Sequence, residues 1–252
     1  FIGKNLVILL SKSNFKIFAL YYNNKPRLKL KNVKWIRYNV LKKKKYKILK
    51  EIKPETVLHL AWSKIPNFSY KNSVKNLNSS ISFLKEALKL RSCNKIIVAG
   101  SCFELYDLKE LTKKNSIDNF VWAKNSIKNY LFKVNKKKSV SIAWFRIFFV
   151  YGPGQRKKSL IPTLIENFKK NKNPVVKNPF NRNDFIYVED VSRAFLCAIK
   201  KNFKSTIFDI GSGKLCSIHK VCGILEKKIS SNTIFTDKIL KKKQNKLHNK
   251  EI

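Results

Sequence analysis

Short runs of β-branched and apolar residues alternate along this chain with longer stretches whose apolar positions recur every three or four residues. That alternation constrains the fold more than any other feature. Strands are expected at Lys16–Leu20, Val33–Tyr38, Thr56–Ala61, Lys95–Gly100, Val140–Ile147 and Thr206–Ile210. Helices are expected at Leu6–Leu10, Asn72–Leu90, Asp118–Val134, Leu160–Lys169, Val188–Ile199 and Ile218–Ile229. Within Asn72–Leu90, Val74, Leu77, Ile81, Leu84 and Leu88 line one helical face. Strands that alternate with helices build βαβ units, and their right-handed crossovers put helices on both faces of a parallel sheet. The expected class is therefore α/β with a doubly wound parallel sheet.

The length of 252 residues suffices for one large domain, or one domain with a small appendage. The 44% hydrophobic content supports a packed core, and neither an internal repeat nor a Gly/Ser linker divides the chain. No apolar run is long enough to cross a membrane. The net charge of +40 raises the question of a nucleic-acid partner, but its source is 48 lysines against 7 arginines, in a chain also rich in Asn, Ile and Phe. Lysine at that excess reads as a solvated surface, because nucleic-acid readers favour the bidentate guanidinium. No specific nucleic-acid partner is expected, although weak attraction to any polyanion follows from the charge.

Five cysteines, an odd number with no CxxC pair, suggest neither a disulfide framework nor a zinc site; they fit small core residues in a reducing cytoplasm. The three histidines lack metal-ligand spacing, so no metal is expected. The sequence starts at Phe1, contains no Met, and opens on a turn-to-helix pattern with no strand before it. We therefore expect a first strand and further glycines upstream. The Lys-rich stretch Lys238–Ile252 reads as a weakly ordered end or part of a small C-terminal lobe.

Three short motifs carry chemistry. Gly3 in Phe1-Ile2-Gly3-Lys4-Asn5 reads as the end of a glycine turn running into a helix, where backbone N–H groups meet a pyrophosphate; taken alone, it reads rather as a loop glycine. Thr56-Val57-Leu58-His59-Leu60-Ala61-Trp62 is an apolar run ending in a small residue, which lets a cofactor lie against the backbone, with His59 read as a packed core residue. Ile96-Ile97-Val98-Ala99-Gly100-Ser101-Cys102-Phe103-Glu104 puts a hydroxyl just past a strand, where open α/β sheets bind ligands and where a serine can also simply cap a turn.

With these motifs stand Ala123-Lys124, Arg146, Val150-Tyr151-Gly152-Pro153-Gly154-Gln155, Arg182-Asn183-Asp184-Phe185-Ile186-Tyr187-Val188-Glu189-Asp190-Val191 and Phe208-Asp209-Ile210-Gly211-Ser212-Gly213. In this order they resemble the extended short-chain dehydrogenase/reductase family, the nucleotide-sugar epimerases, dehydratases and 4-keto reductases. The resemblance covers roughly residues 1–230. The Ala99-Gly100-Ser101-Cys102-Phe103-Glu104 variant resembles the branch that reduces or oxidises C4 of deoxyhexoses carried on dTDP.

The resemblance implies a Rossmann-type sheet with a smaller C-terminal substrate-binding lobe. It implies a cofactor domain over residues 1–155 and a mostly substrate-binding part over 156–252, some of which returns to the sheet. It implies NAD or NADP as cofactor, a nucleotide-sugar substrate, hydride transfer at a sugar carbon and a homodimer through the two long helices. Ser101 and Lys124 take the family's hydroxyl and lysine positions, and Phe120, four residues before Lys124, stands at the position of its proton-shuttling tyrosine. Ile2, Gly3, Asn39, Leu60, Ala61 and Lys124 are implied cofactor contacts, and Gln155 and Arg182 implied substrate contacts.

Four departures follow. Phe120 has no ionisable proton, which raises the alternative of a catalytically impaired relative that binds nucleotide-sugar or dinucleotide. Asn39 replaces an acid that contacts adenine, and Phe149 an Asn that contacts substrate. Leu20-Tyr21-Tyr22-Asn23 offers neither an acid for a ribose hydroxyl nor an Arg for a 2′-phosphate, leaving NAD and NADP both open.

Overall fold

The computed structural model describes residues 1–41, 46–106, 117–135 and 140–229; the tail Lys238–Ile252 lies outside the described residues. The chain forms two units, each built from separate stretches of sequence. Ile2–Phe148 and Val188–Ile210 make the larger; Phe1, Phe149–Tyr187 and the residues from Gly211 onward make the smaller.

The larger unit opens with α1 (Ile2–Leu10), β1 (Ile17–Tyr21), β2 (Val33–Arg37), α2 (Lys47–Ile52), β3 (Thr56–His59), α3 (Tyr70–Ala87) and β4 (Lys95–Ala99). A 3₁₀ turn (Cys102–Leu105), α4 (Ile117–Asn135) and β5 (Ser141–Ile147) follow. The smaller unit then contributes β6 (Phe149–Tyr151), α5 (Leu160–Lys169) and β7 (Arg182–Tyr187). The chain returns to the larger unit for α6 (Val188–Lys200) and β8 (Thr206–Ile210), and finishes in the smaller with β9 (Leu215–Ser217) and α7 (Ile218–Ile229).

β3, β4, β5 and β8 form a parallel sheet in that order, and β1 pairs in parallel with β2; among the described residues no ladder joins the two. This is the expected Rossmann-like α/β architecture, parallel strands flanked by helices. Covered on both faces, its central strands are continuously apolar rather than alternating. Ile96, Ile97 and Val98 in β4 and Ile142, Ala143, Trp144 and Phe145 in β5 are all buried. Each such large side chain contributes about 1.5–3 kcal/mol relative to exposure. α3 packs on α4, and α1 packs on α6. Lys95, buried at the start of β4, donates to the carbonyls of Ile199 (2.7 Å) and Lys201 (2.9 Å), placing a cation at the negative end of α6.

The smaller unit has β6 parallel to β7 and β7 antiparallel to β9, with a separate core of Leu164, Phe168 and Cys222 where α5 meets α7. α5, β8 and α7 have the expected bounds. α1 starts at Ile2 rather than Leu6, because Leu6 and Leu10 sit one turn apart on its buried side and the helix extends back from them. Gly3 thus lies in the first helical turn rather than before it. β3 stops at His59, where its ladder with β4 ends, leaving Leu60 and Ala61 beyond the strand.

Candidate active site

β4 ends at Ala99, and the next three residues set the geometry of the site. The Gly100 N–H donates to the Phe145 carbonyl at 2.7 Å, the last bond between β4 and β5. Ser101 then caps the 3₁₀ turn: its Oγ accepts from the Phe103 N–H at 3.3 Å, and the Glu104 carboxylate accepts from the Ser101 N–H at 2.8 Å. This reciprocal pair is a capping box. Because the hydroxyl of Ser101 accepts in the cap, its proton stays free to donate elsewhere.

Glu104 is bound on every side. Trp144 Nε1 donates to its two oxygens at 3.0 and 2.9 Å, and Lys128 Nζ reaches one of them at 3.0 Å. Its side chain has no solvent exposure. A Cβ on Gly100 would overlap both Trp144 Nε1 and Glu104 Oε1, so glycine is required for the indole and the carboxylate to meet.

α4 supplies the facing wall. Phe120 and Lys124, four residues apart, share its buried face with Ala123 and Ile127. Lys124 Nζ donates to the Ala99 carbonyl at 2.7 Å and lies 4.4 Å from the Trp62 ring centroid and 5.7 Å from that of Phe120. Burial pushes its ammonium down from the usual lysine range to about 8, a fall partly opposed by the negative charge of Glu104. Phe120 is buried between Trp62 and Phe68, each with its ring centroid 5.0 Å away. The indole N–H of Trp62 is buried without a hydrogen-bond partner.

The loop after β3 that carries Trp62 is anchored by α3. Asn76 Oδ1 accepts from the Ser63 N–H at 2.8 Å, and Asn72 Nδ2 donates to the carbonyls of Asn67 (2.7 Å) and Ser63 (3.1 Å). His59, inside β3, is buried with Nε2 3.0 Å from Ser80 Oγ and its ring stacked on Phe83. Burial lowers its pKa to about 3, with Lys124 adding to the fall, so it is a neutral core residue.

Among the expected site residues, the structure brings together Ser101, Phe120 and Lys124 at the carboxyl end of β4. Ile2 and Gly3 stand in the first turn of α1, whose leading amides have no partner within the helix. Asn39 follows β2, with Oδ1 accepting from the Leu41 N–H at 2.9 Å. Leu60 is half-buried and Ala61 exposed.

Gln155 and Arg182 belong to the smaller unit. Gln155 Nε2 donates to the Val150 carbonyl at 3.0 Å, while its Oε1 is buried without a partner. Arg182 opens β7 and is exposed, opposite Ser217. Phe149 packs on Phe185 with ring centroids 6.0 Å apart. In the same unit, the buried Asp184 accepts from the Ser212 N–H and Oγ and from the Gly213 N–H, tying down the turn after β8.

Sequence reasoning assigned no part to Glu104, Trp144 or Trp62. The spacing Ser101-x-x-Glu104 is a capping-box signature and was the signal available for Glu104. No comparable pattern marks the two tryptophans.

A family model described as the NAD dependent epimerase/dehydratase family matches residues 1–211. The chain is 27% identical to dTDP-4-dehydro-6-deoxyglucose reductase of Escherichia coli over 260 aligned positions, covering 93% of this chain and 80% of that protein. Its fold is similar to that of UDP-N-acetylglucosamine 4-epimerase from Methanobrevibacter ruminantium, solved with UDP-N-acetylmuramic acid, with a TM-score of 0.76 at 22% identity over 91% of this chain and 80% of the other. It is also similar to a Tyr→Phe variant of UDP-glucuronic acid 4-epimerase from Bacillus cereus, solved with UDP-4-deoxy-4-fluoro-glucuronic acid and NAD. There the TM-score is 0.76 at 21% identity over 90% and 79% of the two chains. Among the described residues no helix is long and apolar enough to cross a membrane.

Proposed function

The chain belongs to the NAD-dependent epimerase/dehydratase family, and from that membership we propose that it acts on a nucleotide-linked sugar, with NAD or NADP as its redox partner. The observation that carries this reading is the convergence of Ser101 and Lys124 at the end of β4, with the lysine ammonium fixed on the Ala99 carbonyl. The donor set fits such a cofactor: Lys124 spends one N–H on Ala99 and keeps two for ribose hydroxyls. When bound, NAD(P) supplies the hydride donor or acceptor.

The protein's own part is binding and orientation. Lys124 holds the ribose, the leading amides of α1 at Ile2 and Gly3 receive the pyrophosphate, Asn39 meets the base, and the chain at Leu60 and Ala61 lies along the cofactor. Ser101 donates its proton to the sugar oxygen. Arg182 grips the diphosphate of the substrate, which Gln155 also contacts. The similarity to the E. coli reductase supports a dTDP-linked deoxyhexose as the sugar nucleotide. None of the five cysteines forms a disulfide, which supports residence in a reducing cytoplasm, and the exposed stack of Tyr70 on Trp122, across α3 and α4, supports a homodimer through those helices.

A second reading rests on Phe120. Enclosed by Trp62 and Phe68, it gives the tyrosine position of the family no proton to pass. The chain would then bind nucleotide-sugar and dinucleotide with impaired turnover. The Tyr→Phe epimerase variant solved with sugar nucleotide and NAD supports binding without that hydroxyl. The deciding experiment titrates NADH and NADPH by fluorescence, then measures turnover of a dTDP-4-keto-6-deoxyhexose. Binding with family-like turnover supports the enzyme, binding with negligible turnover supports the impaired relative, and no binding of either cofactor overturns both.

A further inference from the structure

The buried carboxylate of Glu104 lies beyond the roles assigned above. It has no solvent exposure, yet it accepts from an indole N–H, a backbone N–H and an ammonium. A buried anion with incomplete partners costs several kcal/mol, so its retention here requires a full set of donors. Those donors come from three separate elements. Trp144 stands in β5, Lys128 in α4, and the Ser101 N–H opens the turn itself. The carboxylate therefore ties the turn to the strand on one side and to the helix on the other, and Gly100 leaves the space for it.

We propose that Glu104 is the positioning residue of this site: its carboxylate locks the Ser101 turn to β5 on one side and, through Lys128, to the helix that carries Lys124 on the other. The proposal deepens the reading of Ser101 and Lys124 as site residues and rests on it. The hydroxyl and the ammonium are held by one part. Ser101 is set through its backbone N–H, and the helix of Lys124 through the ion pair with Lys128, one turn further on.

Among the described residues, three charged or titratable groups bear on Lys124. Glu104 comes from the turn, His59 from β3, and Lys128 from one turn further along α4. His59 stays neutral above about pH 3 and contributes no charge across the range where Lys124 titrates. Glu104 therefore favours the charged lysine, while Lys128, by pairing with Glu104, weakens that influence.

The test reads Lys124 directly in the full chain without cofactor. Trace labelling with acetic anhydride from pH 6 to 11, followed by peptide mass spectrometry, gives the midpoint at which this one lysine becomes nucleophilic. Glu104→Gln keeps the shape and one accepting oxygen but removes the charge, and lowers the midpoint. Lys128→Gln leaves the anion unopposed and raises it. Opposite shifts are the signature, because loss of packing alone would move both variants the same way. A midpoint unchanged in both, or shifted in one direction by both, overturns the proposal. Should Glu104→Gln not fold, a downward shift or no shift in Lys128→Gln overturns it, and an upward shift supports it. NADH titration of the same proteins separates the underlying reading: shifts of opposite sign with an NADH affinity indifferent to Lys124 protonation would uphold Glu104 and discard Lys124 as the ribose contact.

Discussion

The ammonium of Lys124 lies over the ring of Trp62, 4.4 Å from its centroid, and is held there by a hydrogen bond to Ala99. The pair puts a cation against an aromatic face in a dry setting, where such contacts reach about 2 kcal/mol or more. Lys124→Ala should weaken NADH binding tenfold or more, since hydrogen bonds from a charged group contribute about 1.5–3 kcal/mol. Lys133→Ala, at an exposed position of the same helix, should leave it unchanged. Wild-type affinity should also fall as pH rises through about 8, where the ammonium loses its proton. Equal losses from both variants in a fluorescence titration would mean that general charge drives binding.

Phe120→Tyr should raise turnover on a nucleotide 4-ketosugar by roughly 10²–10⁴, the usual contribution of a positioned acid or base. The new hydroxyl would lie on the same helix face as Lys124, whose charge favours the phenolate. Steady-state rates decide the matter. A wild-type rate already typical of the family, and indifferent to the substitution, points instead to another donor such as Tyr106, half-exposed at the end of the 3₁₀ turn.

Gly100→Ala should cost about 1–3 kcal/mol through overpacking against Trp144 and Glu104. In a chain of this size that lowers the melting temperature by a few degrees for each kcal/mol. Calorimetry of Gly100→Ala, Trp144→Phe and the double variant should show strong non-additivity, because the two changes share one contact. Additive losses would place the strain elsewhere.

His59 makes the fold acid-sensitive. Its folded pKa, about 3, lies below the unfolded value near 6.5, so between these limits the unfolded chain binds the extra proton. Stability is unaffected by this group above pH 6.5 and falls as pH drops from 6.5 toward 3, by several kcal/mol in total. His59→Gln, which keeps a polar head for Ser80, should flatten that slope in urea titrations at pH 4 to 7. A slope equal to wild type would assign the acid sensitivity to other groups.

Arg182→Lys should weaken binding of a dTDP-sugar about tenfold while leaving NADH affinity intact, because an ammonium cannot reproduce the two-pronged grip of a guanidinium on a diphosphate. Calorimetric titration with NADH present measures this. Unchanged dTDP-sugar affinity would put the diphosphate elsewhere.

The larger unit was legible because its signals are local. Val74, Leu77, Ile81, Leu84 and Leu88 announce α3 by spacing alone, and Ile96–Val98 announce β4 by an unbroken apolar run. Among the elements missing from the expected set, α2, β6 and β9 span six, three and three residues, too short for a period to register. The site was legible where chemistry and spacing coincide, at Ser101 and at Phe120 with Lys124. The role of Glu104 depends on Trp144, forty positions away in a neighbouring strand, and no local pattern links the two. Trp62 could be seen to follow the small residue Ala61, but its seat over Lys124 is set by Asn72 and Asn76 further on.

The interleaved order of the two units bears on how the chain matures at the ribosome. β5 leaves the exit tunnel with its outer edge bare, because β8, its neighbour in the sheet, is translated only after β6, α5 and β7. α1 likewise waits for α6, synthesised beyond that same intervening stretch. Non-local pairings of this kind form slowly and expose strand edges in the interval. The nascent larger unit therefore keeps that edge open until Ile210 has emerged.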